Sequence, residues 1–253
     1  MNASPGVLRR PDRLTSLLAR FALVLAALCG AAELLAGPAY RLGLLSLGAA
    51  LGTMRWAATA ALAIAAAALV LTIFAARSGG RRALAPSAAA LVLALVVAAP
   101  PLWLYVQAQR LPHIHDISTD TAHPPTFAAV LPLRIDARNP VDYSPATAQQ
   151  QKAGYPDIAP LTLAVPPAEA FARAVRAANG LGWTIVAAEA SEGRLEATDT
   201  TLLFGFKDDI VVRVAPASGG GSIVDVRSLS RVGGSDFGTN ASRVRAFLRR
   251  LES

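Results

Sequence analysis

Three long apolar stretches in the first half of the chain constrain its fold more than any other feature. They comprise residues 17–36, 56–76 and 84–106, and each holds few charged side chains. A helix of about 20 apolar residues is long enough to cross the hydrocarbon core of a bilayer. The sequence therefore predicts three transmembrane helices in a membrane domain of residues 17–107, after an N-terminal tail of residues 1–16.

A further apolar stretch, residues 42–54, lies between the first two. It is too short to cross a bilayer, so we expect it to lie in the membrane interface or to re-enter the membrane. In the third predicted helix, Pro100 and Pro101 predict an interruption, because proline removes a backbone donor and clashes with the preceding turn. Trp103 and Tyr105 follow, where the aromatic residues of a membrane interface are expected.

The distribution of arginine predicts how the helices are oriented. Cytoplasmic loops of membrane proteins are enriched in Lys and Arg. Arginines are concentrated before the first apolar stretch and in the loop near residues 77–82, whereas the loop between the first two stretches holds Arg41 and Arg55. We therefore expect a cytoplasmic N-terminus and a C-terminal domain on the opposite side, which is the periplasm in a bacterium with two membranes. A fourth span at residues 42–54 would reverse this orientation.

The net charge of +7 at pH 7 is located in the membrane part of the chain. Residues 1–112 hold ten arginines against Asp12 and Glu33, whereas residues 113–253 hold 14 basic and 15 acidic residues. Nucleic-acid binding requires a basic surface that neutralises phosphates. The C-terminal domain lacks that surplus, so nucleic acid is excluded as a partner and the lipid bilayer is favoured. The single cysteine, Cys29, excludes an intrachain disulfide and a Cys-based zinc site.

Residues 108–160 are rich in proline, which predicts an extended arm that wraps the following domain. The arm begins with His113, His115, Asp116 and His123. Histidine and aspartate are metal ligands, but this spacing matches no metal motif. We therefore expect these side chains to cap turns, with no metal and no other cofactor.

Residues 161–253 have the pattern of an α+β domain. The predicted strands are 161–165, 183–188, 194–200, 209–215 and 223–229, and the predicted helices are 167–179 and about 236–251. Short glycine-containing links between the last four strands suit hairpins, so the sheet is predicted to be antiparallel. The order is β-α-β-β-β-β-α, with two helices on one face of a curved sheet.

Polar side chains are concentrated where the last strand meets the last helix. Gly233 and Gly234 form the turn, and Ser235 or Asp236 is a suitable N-cap. A glycine-rich turn before a helix can bind an anion. The alternative is a structural latch, in which Asp236 caps the helix and pairs with Arg231 or Arg243. The candidate residues for either role are Arg213, Arg227, Ser228, Ser230, Arg231, Ser235, Asp236, Asn240 and Arg243.

Two motifs in this region resemble a known family. FGFKDDIVVRV (204–214) and VDVRSLSRVGGSDFGTNASRVRAFL (224–248) are similar to the signature of the domain of unknown function 1499 family. HDISTDTAHPPTF (115–127) and NPVDYSP (139–145) resemble its membrane-anchored bacterial branch, although Gly234 stands where a larger residue is expected. The resemblance covers about residues 113–251 and implies a bacterial or organellar protein. It implies no catalytic residues.

Three functions are compatible with these observations. The first is a non-enzymatic module in the cell envelope that binds a protein partner or a small anionic ligand. The second is a lipid-handling domain with an apolar cavity between its sheet and its helices. The third is a hydrolase of envelope material, which would have to use carboxylates such as Asp208, Asp209 and Asp236, because no known catalytic motif is present. The sequence favours the first.

Overall fold

The computed structural model describes residues 10–252 of the chain and the side chains of residues 13–252. The chain forms two compact units that divide between Val106 and Gln107. The first contains three long helices and the second is an α+β unit.

The first unit contains helices α1 (Arg10–Arg41), α2 (Leu47–Ser78) and α3 (Arg81–Arg110). Within the described residues, these three are long and apolar enough to cross a membrane. All three are longer than the predicted spans. Residues 47–54 form the first turns of α2, so the predicted segment at 42–54 is not separate from the second long helix. Ser46 explains this start, since its side chain accepts a hydrogen bond from the Ala49 N–H at 3.2 Å.

Helix α3 continues through Pro100 and Pro101. The prediction of an interruption at these prolines is therefore wrong. Alanines dominate the contacts among the three helices, as at Ala26, Ala65 and Ala94. Leucines such as Leu34 remain exposed. Small residues inside and large apolar residues outside are typical of helices that pack in lipid.

The second unit contains an open antiparallel sheet of six strands. Its elements are β1 (Asp116–Ser118), a 3-10 helix (Leu131–Arg134), α4 (Pro145–Gly154), β2 (Leu161–Leu163), α5 (Pro167–Gly180), β3 (Thr184–Glu189), β4 (Arg194–Thr200), β5 (Lys207–Pro216), β6 (Ser222–Ser230) and α6 (Thr239–Glu252). The strand order is β1-β6-β5-β4-β3, and β2 also pairs with β6. This confirms the predicted α+β class and the antiparallel sheet.

Helices α5 and α6 pack against one face of the sheet and form the main core. Side chains of Ile210, Val212 and Val226 point to this face because residues alternate across a strand. Phe247 of α6 is fully buried and its ring stacks on Trp183 with a centroid separation of 5.2 Å.

The arm covers the opposite face of the sheet. Phe127 and Val130 of the arm pack against Val211 and Leu229 of the sheet in a second, smaller core. The arm is also more regular than predicted, since it supplies β1, the 3-10 helix and α4. It is therefore a structural layer of the unit.

Helix α6 begins later than predicted. In the sequence, Phe237, Ala241, Val244, Leu248 and Leu251 recur at helical spacing and predict one apolar stripe. Phe237 instead lies before the helix with a positive φ of 51° and is 47% exposed. Phe247, and not Phe237, is the phenylalanine of this region that packs in the core. The same spacing predicts Arg243 mostly outside the stripe, yet its side chain is buried, because two carboxylates of the sheet face it.

Candidate functional site

The nine candidate residues do not converge on one site. Because side chains alternate along β6, Arg227 points to the arm and Ser228 points to the helices. The arm-side cluster consists of Asp116, Asp120, Arg134, Asp209, Arg213, Asp225, Arg227 and Arg231. The helix-side cluster consists of Asp199, Asp208, Ser228, Ser230, Asn240 and Arg243. Ser235 and Asp236 lie in the turn before α6.

Arg227 is at the centre of the arm-side cluster. Its Nε and Nη2 donate to the two carboxylate oxygens of Asp116 at 3.0 and 2.7 Å. The remaining N–H groups reach the backbone carbonyls of Pro125 and Val141. The guanidinium also lies 5.1 Å from the Phe127 ring centroid and 5.4 Å from that of Tyr143. Arg227 thus joins β6 to three segments of the arm, near residues 116, 125–127 and 141–143.

Asp209 accepts hydrogen bonds from two arginines of the arm-side cluster. Arg231 donates to both carboxylate oxygens, at 2.9 and 2.8 Å. Arg134 of the 3-10 helix donates to the same carboxylate, and Thr198 contributes its hydroxyl at 2.8 Å. Asp209 is fully buried, so these donors compensate the cost of removing its charge from water.

Arg213 connects the sheet to the start of the arm. Its Nη2 donates to Asp225 at 2.7 Å and to Asp120 at 3.1 Å. Burial by itself would raise the pKa of Asp120. Hydrogen bonds from the His123 and Ala122 N–H groups, together with Arg213, outweigh burial and hold that pKa below its usual value.

The arm-side cluster is electrically balanced. It contains four arginines and four aspartates, and each arginine contacts at least one of these carboxylates. An anion site requires cationic donors directed at the ligand. These donors are instead directed at carboxylates of the same chain, so the cluster is a set of internal ion pairs.

Arg243 of α6 is at the centre of the helix-side cluster. Its guanidinium donates to Asp199 at 2.7 Å and to Asp208 at 2.8 Å. Asn240 donates to the Ser230 hydroxyl at 2.9 Å and accepts from Ser228 at 2.6 Å. Two carboxylates face one arginine here, so this cluster also lacks a surplus of positive charge.

Asp236 caps the start of α6. Its carboxylate accepts hydrogen bonds from the N–H groups of Gly238 at 2.9 Å and Asn240 at 2.8 Å. Burial raises the pKa of Asp236, and these two hydrogen bonds oppose that effect. The predicted cap is therefore present, but Arg231 and Arg243 pair with other carboxylates. Ser235 accepts a hydrogen bond from the Phe237 N–H at 3.3 Å.

Glu196 was missed by the sequence reasoning. Its carboxylate is fully buried and accepts hydrogen bonds from the backbone N–H groups of Ala128, Ala129 and Val130 at 3.0–3.1 Å. Arg194 pairs with the same side chain. The sequence signal for this role is a carboxylate in the middle of a predicted strand. Its side chain lies on the face of the sheet opposite to that of Leu195 and Ala197.

Two histidines of the arm lie beside other polar groups of the unit. The Nδ1 atom of His115 lies 3.3 Å from the Gly234 carbonyl oxygen, and that of His123 lies 4.0 Å from Asp120. Among the residues that the structure describes, no group of three or more His, Cys, Asp or Glu side chains is placed to hold a metal ion.

Two of the clefts on the surface of the α+β unit lie beside its helices. A cleft of about 440 Å³ between α5 and α6 is lined mainly by charged side chains, including Arg173, Arg176 and Arg250. The other, of about 430 Å³, lies between residues 121–124 of the arm and α4. Side chains that are at most 9% exposed fill the space between the sheet and the two helices, where a lipid-handling domain would have its cavity.

The fold and its polar clusters define a class of protein: three helices that could cross a membrane, followed by an α+β unit in which a polar arm is fastened across an antiparallel sheet. The sequence model of one family, described as "Protein of unknown function (DUF1499)", matches residues 116–251. The chain belongs to this family. Neither the comparison with curated proteins nor that with solved structures finds a match. The matched residues run from Asp116, the partner of Arg227, to the last turn of α6.

Proposed function

We propose that this protein is an integral membrane protein of the cell envelope that presents its α+β unit as a binding module for a protein partner. Its arginine distribution favours a cytoplasmic N-terminus, so the module lies on the opposite side, in the periplasm of a bacterium with two membranes. The three helices supply the membrane anchor.

The polar residues that the sequence singles out serve as a latch in this proposal. A catalytic or anion-binding group must be available to a substrate. Arg227, Arg231 and Arg243 instead direct their guanidinium groups at buried carboxylates of the same unit. Removing either member of such a pair leaves an unpaired buried charge, which makes these residues important for folding.

Exposed apolar side chains supply the surface that carries the proposal. Outside the three long helices, the large apolar side chains with the highest exposure are Ile135 and Leu202, both 86% exposed. Leu133, Leu203 and Phe237 are about half exposed. A contiguous exposed apolar surface on a water-facing unit marks an interaction site.

Hydrogen bonds connect Arg231 to two of the segments that carry these side chains. The Arg231 guanidinium donates to the Leu133 carbonyl, two residues before Ile135. The Arg231 N–H donates to the carbonyl of Lys207 at 3.0 Å, where the loop that carries Leu202 ends. Phe237 follows Arg231 by six residues. We define the apolar edge as Leu133, Ile135, Leu202, Leu203 and Phe237.

Site-specific photocrosslinking in intact cells tests this proposal. A photoreactive amino acid is placed at position 135 or 202 of the full chain, with position 192 as control. Glu192 is exposed and precedes β4, whereas Leu202 follows it, so the two positions lie at opposite ends of one strand.

We expect the same protein adduct from positions 135 and 202 and none from position 192. The adduct from position 135 should be lost in a Leu202→Ser/Leu203→Ser chain, which removes part of the apolar edge without touching the latch. Adducts to lipid alone at positions 135 and 202 would contradict partner binding and favour a lipid-contacting module.

A further inference from the structure

The end of the membrane unit that carries the N-terminus contains a cleft of about 580 Å³ with a strongly cationic lining. Arg13 and Arg20 come from α1, and Arg81 and Arg82 come from the first turn of α3. Ser16, Leu17 and Gly79 complete the lining. We propose that this cleft, the arginine cleft, binds the phosphate headgroup of an anionic phospholipid.

The net positive charge of the arginine cleft favours an anionic ligand. Among the residues whose side chains the structure describes, no acidic residue lines the arginine cleft. In residues 13–112 the sole carboxylate is that of Glu33, 13 positions beyond Arg20 and therefore about 20 Å further along the helix axis. Asp12 adds at most one negative charge nearby, and its side chain lies outside the described residues. The four arginines therefore keep an excess positive charge that an external anion would neutralise.

The position of Arg81 and Arg82 in the first turn of α3 also favours an anionic ligand. The partial positive charge of a helix N-terminus disfavours cationic side chains in the first turn. Helix α3 has no acidic residue in its first turn to offset this effect. A phosphate bound between α1 and α3 would be attracted both by the arginines and by the helix end.

The apolar part of the lining identifies the anion as a lipid. Leu17 lies between Arg13 and Arg20 on α1, and its side chain is 64% exposed. It marks the start of the apolar stretch, so a headgroup beside the arginines would place its acyl chains along this surface. Basic pockets between transmembrane helices bind anionic headgroups in this manner. A free phosphate would leave the apolar part of the lining unused.

Native mass spectrometry of the full chain in a neutral detergent tests the proposal. The probes are short-chain phosphatidylglycerol, phosphatidylcholine of the same chain length, and inorganic phosphate. We expect phosphatidylglycerol to bind with clear preference over the other two. Arg20→Gln/Arg82→Gln should weaken its binding about 30-fold, because each charge near an anionic headgroup contributes a few-fold.

Two variants make the result interpretable. Arg41→Gln/Arg55→Gln removes the same charge from the other end of the helices and should bind phosphatidylglycerol like the native chain. Arg20→Lys/Arg82→Lys keeps the charge and should retain most of the binding, which separates loss of charge from loss of fold. Equal binding of phosphatidylcholine, or equal weakening in the Arg41/Arg55 variant, would overturn the site. Binding of inorganic phosphate as tight as that of phosphatidylglycerol would overturn the lipid assignment.

This inference is independent of the apolar edge, which lies in the other unit. If the Arg20/Arg82 variant loses lipid binding but keeps the photocrosslinks from position 135, the lipid site and the partner-binding surface are independent of each other.

Discussion

Arg227 of β6 and Asp116 of β1 form two parallel hydrogen bonds in the interior of the α+β unit, although 111 positions separate them in the sequence. Both side chains are about 95% buried. Asp116 lies near the start of the arm, so this pair fastens that part of the arm to a strand near the end of the unit. It shows why the arm belongs to the same folding unit as the sheet.

Glu196 should be as important for the arm as Arg227. Glu196→Ala leaves three backbone N–H groups of residues 128–130 without their acceptor, and it should destabilise the unit by about 2–4 kcal/mol, since an unsatisfied buried donor costs about 1–3 kcal/mol. Glu196→Gln keeps one acceptor oxygen and should lose less. Urea unfolding of the full chain in detergent, followed by proteolysis of the arm, measures both. Equal stability of the Ala and Gln variants would contradict this role.

The carboxylate of Asp120 predicts a pH dependence. Its pKa in the folded chain lies below its usual value. The stability that it contributes is therefore fully present above the unfolded pKa, about 3.9, and is lost as the pH falls through the folded pKa. Asp120→Asn should cost about 1 kcal/mol at pH 7, and this cost should shrink as the pH is lowered towards 2. If the difference in unfolding free energy between the native and Asp120→Asn chains stays constant between these pH values, the charge of Asp120 contributes nothing to stability.

Gly193 should tolerate no side chain. Its φ is +63°, and an added Cβ would lie 2.1 Å from the backbone oxygen of Val214. Gly193→Ala should therefore destabilise the unit by about 2 kcal/mol or more. Gly219 is the matched control, because its φ is ordinary and an added Cβ meets no atom within 4 Å. A chain with Gly219→Ala should unfold at the same urea concentration as the native chain. An equal loss of unfolding free energy in both variants would contradict the turn geometry.

Cysteine labelling tests the proposed orientation. In a Cys29→Ser chain, Glu192→Cys should react with a membrane-impermeant maleimide in bacterial cells whose outer membrane has been permeabilised. Ser78→Cys, at the end of α2, should react after the inner membrane is also opened. The reverse pattern would place the α+β unit in the cytoplasm.

Periodicity in the sequence predicted the strands of the α+β unit well. Alternation of apolar and polar residues located β4 at residues 194–200, the range that the structure shows. The longer strands β5 and β6 extend one or two residues beyond their predicted ends. The three-residue strand β1 has no detectable period, and its pairing with β6 depends on contacts more than 100 positions apart, so local patterns could not reveal it.

The candidate site was predicted less well, for a related reason. Alternation along the predicted strands places Asp209, Arg213, Asp225 and Arg227 on one face of the sheet. The structure pairs Arg213 with Asp225 across the strands. The sequence could not show that Arg227 turns to the arm instead, since Asp116 was interpreted as a turn residue. The burial of Arg243 was likewise missed, because helical periodicity reports apolar residues and not buried ion pairs.

A double-mutant cycle on Arg227 and Asp116 tests most directly the central claim that the polar cluster is an internal latch. The cycle uses Arg227→Met, Asp116→Leu and the double variant in a full chain with Trp56→Phe and Trp103→Phe, so that buried Trp183 reports unfolding in urea. Each single variant should lose about 3–5 kcal/mol, because it leaves an unpaired buried charge. The double variant should lose clearly less than the sum of the two losses. Native stability in both single variants would contradict the latch and return Arg227 to the candidates for a ligand site.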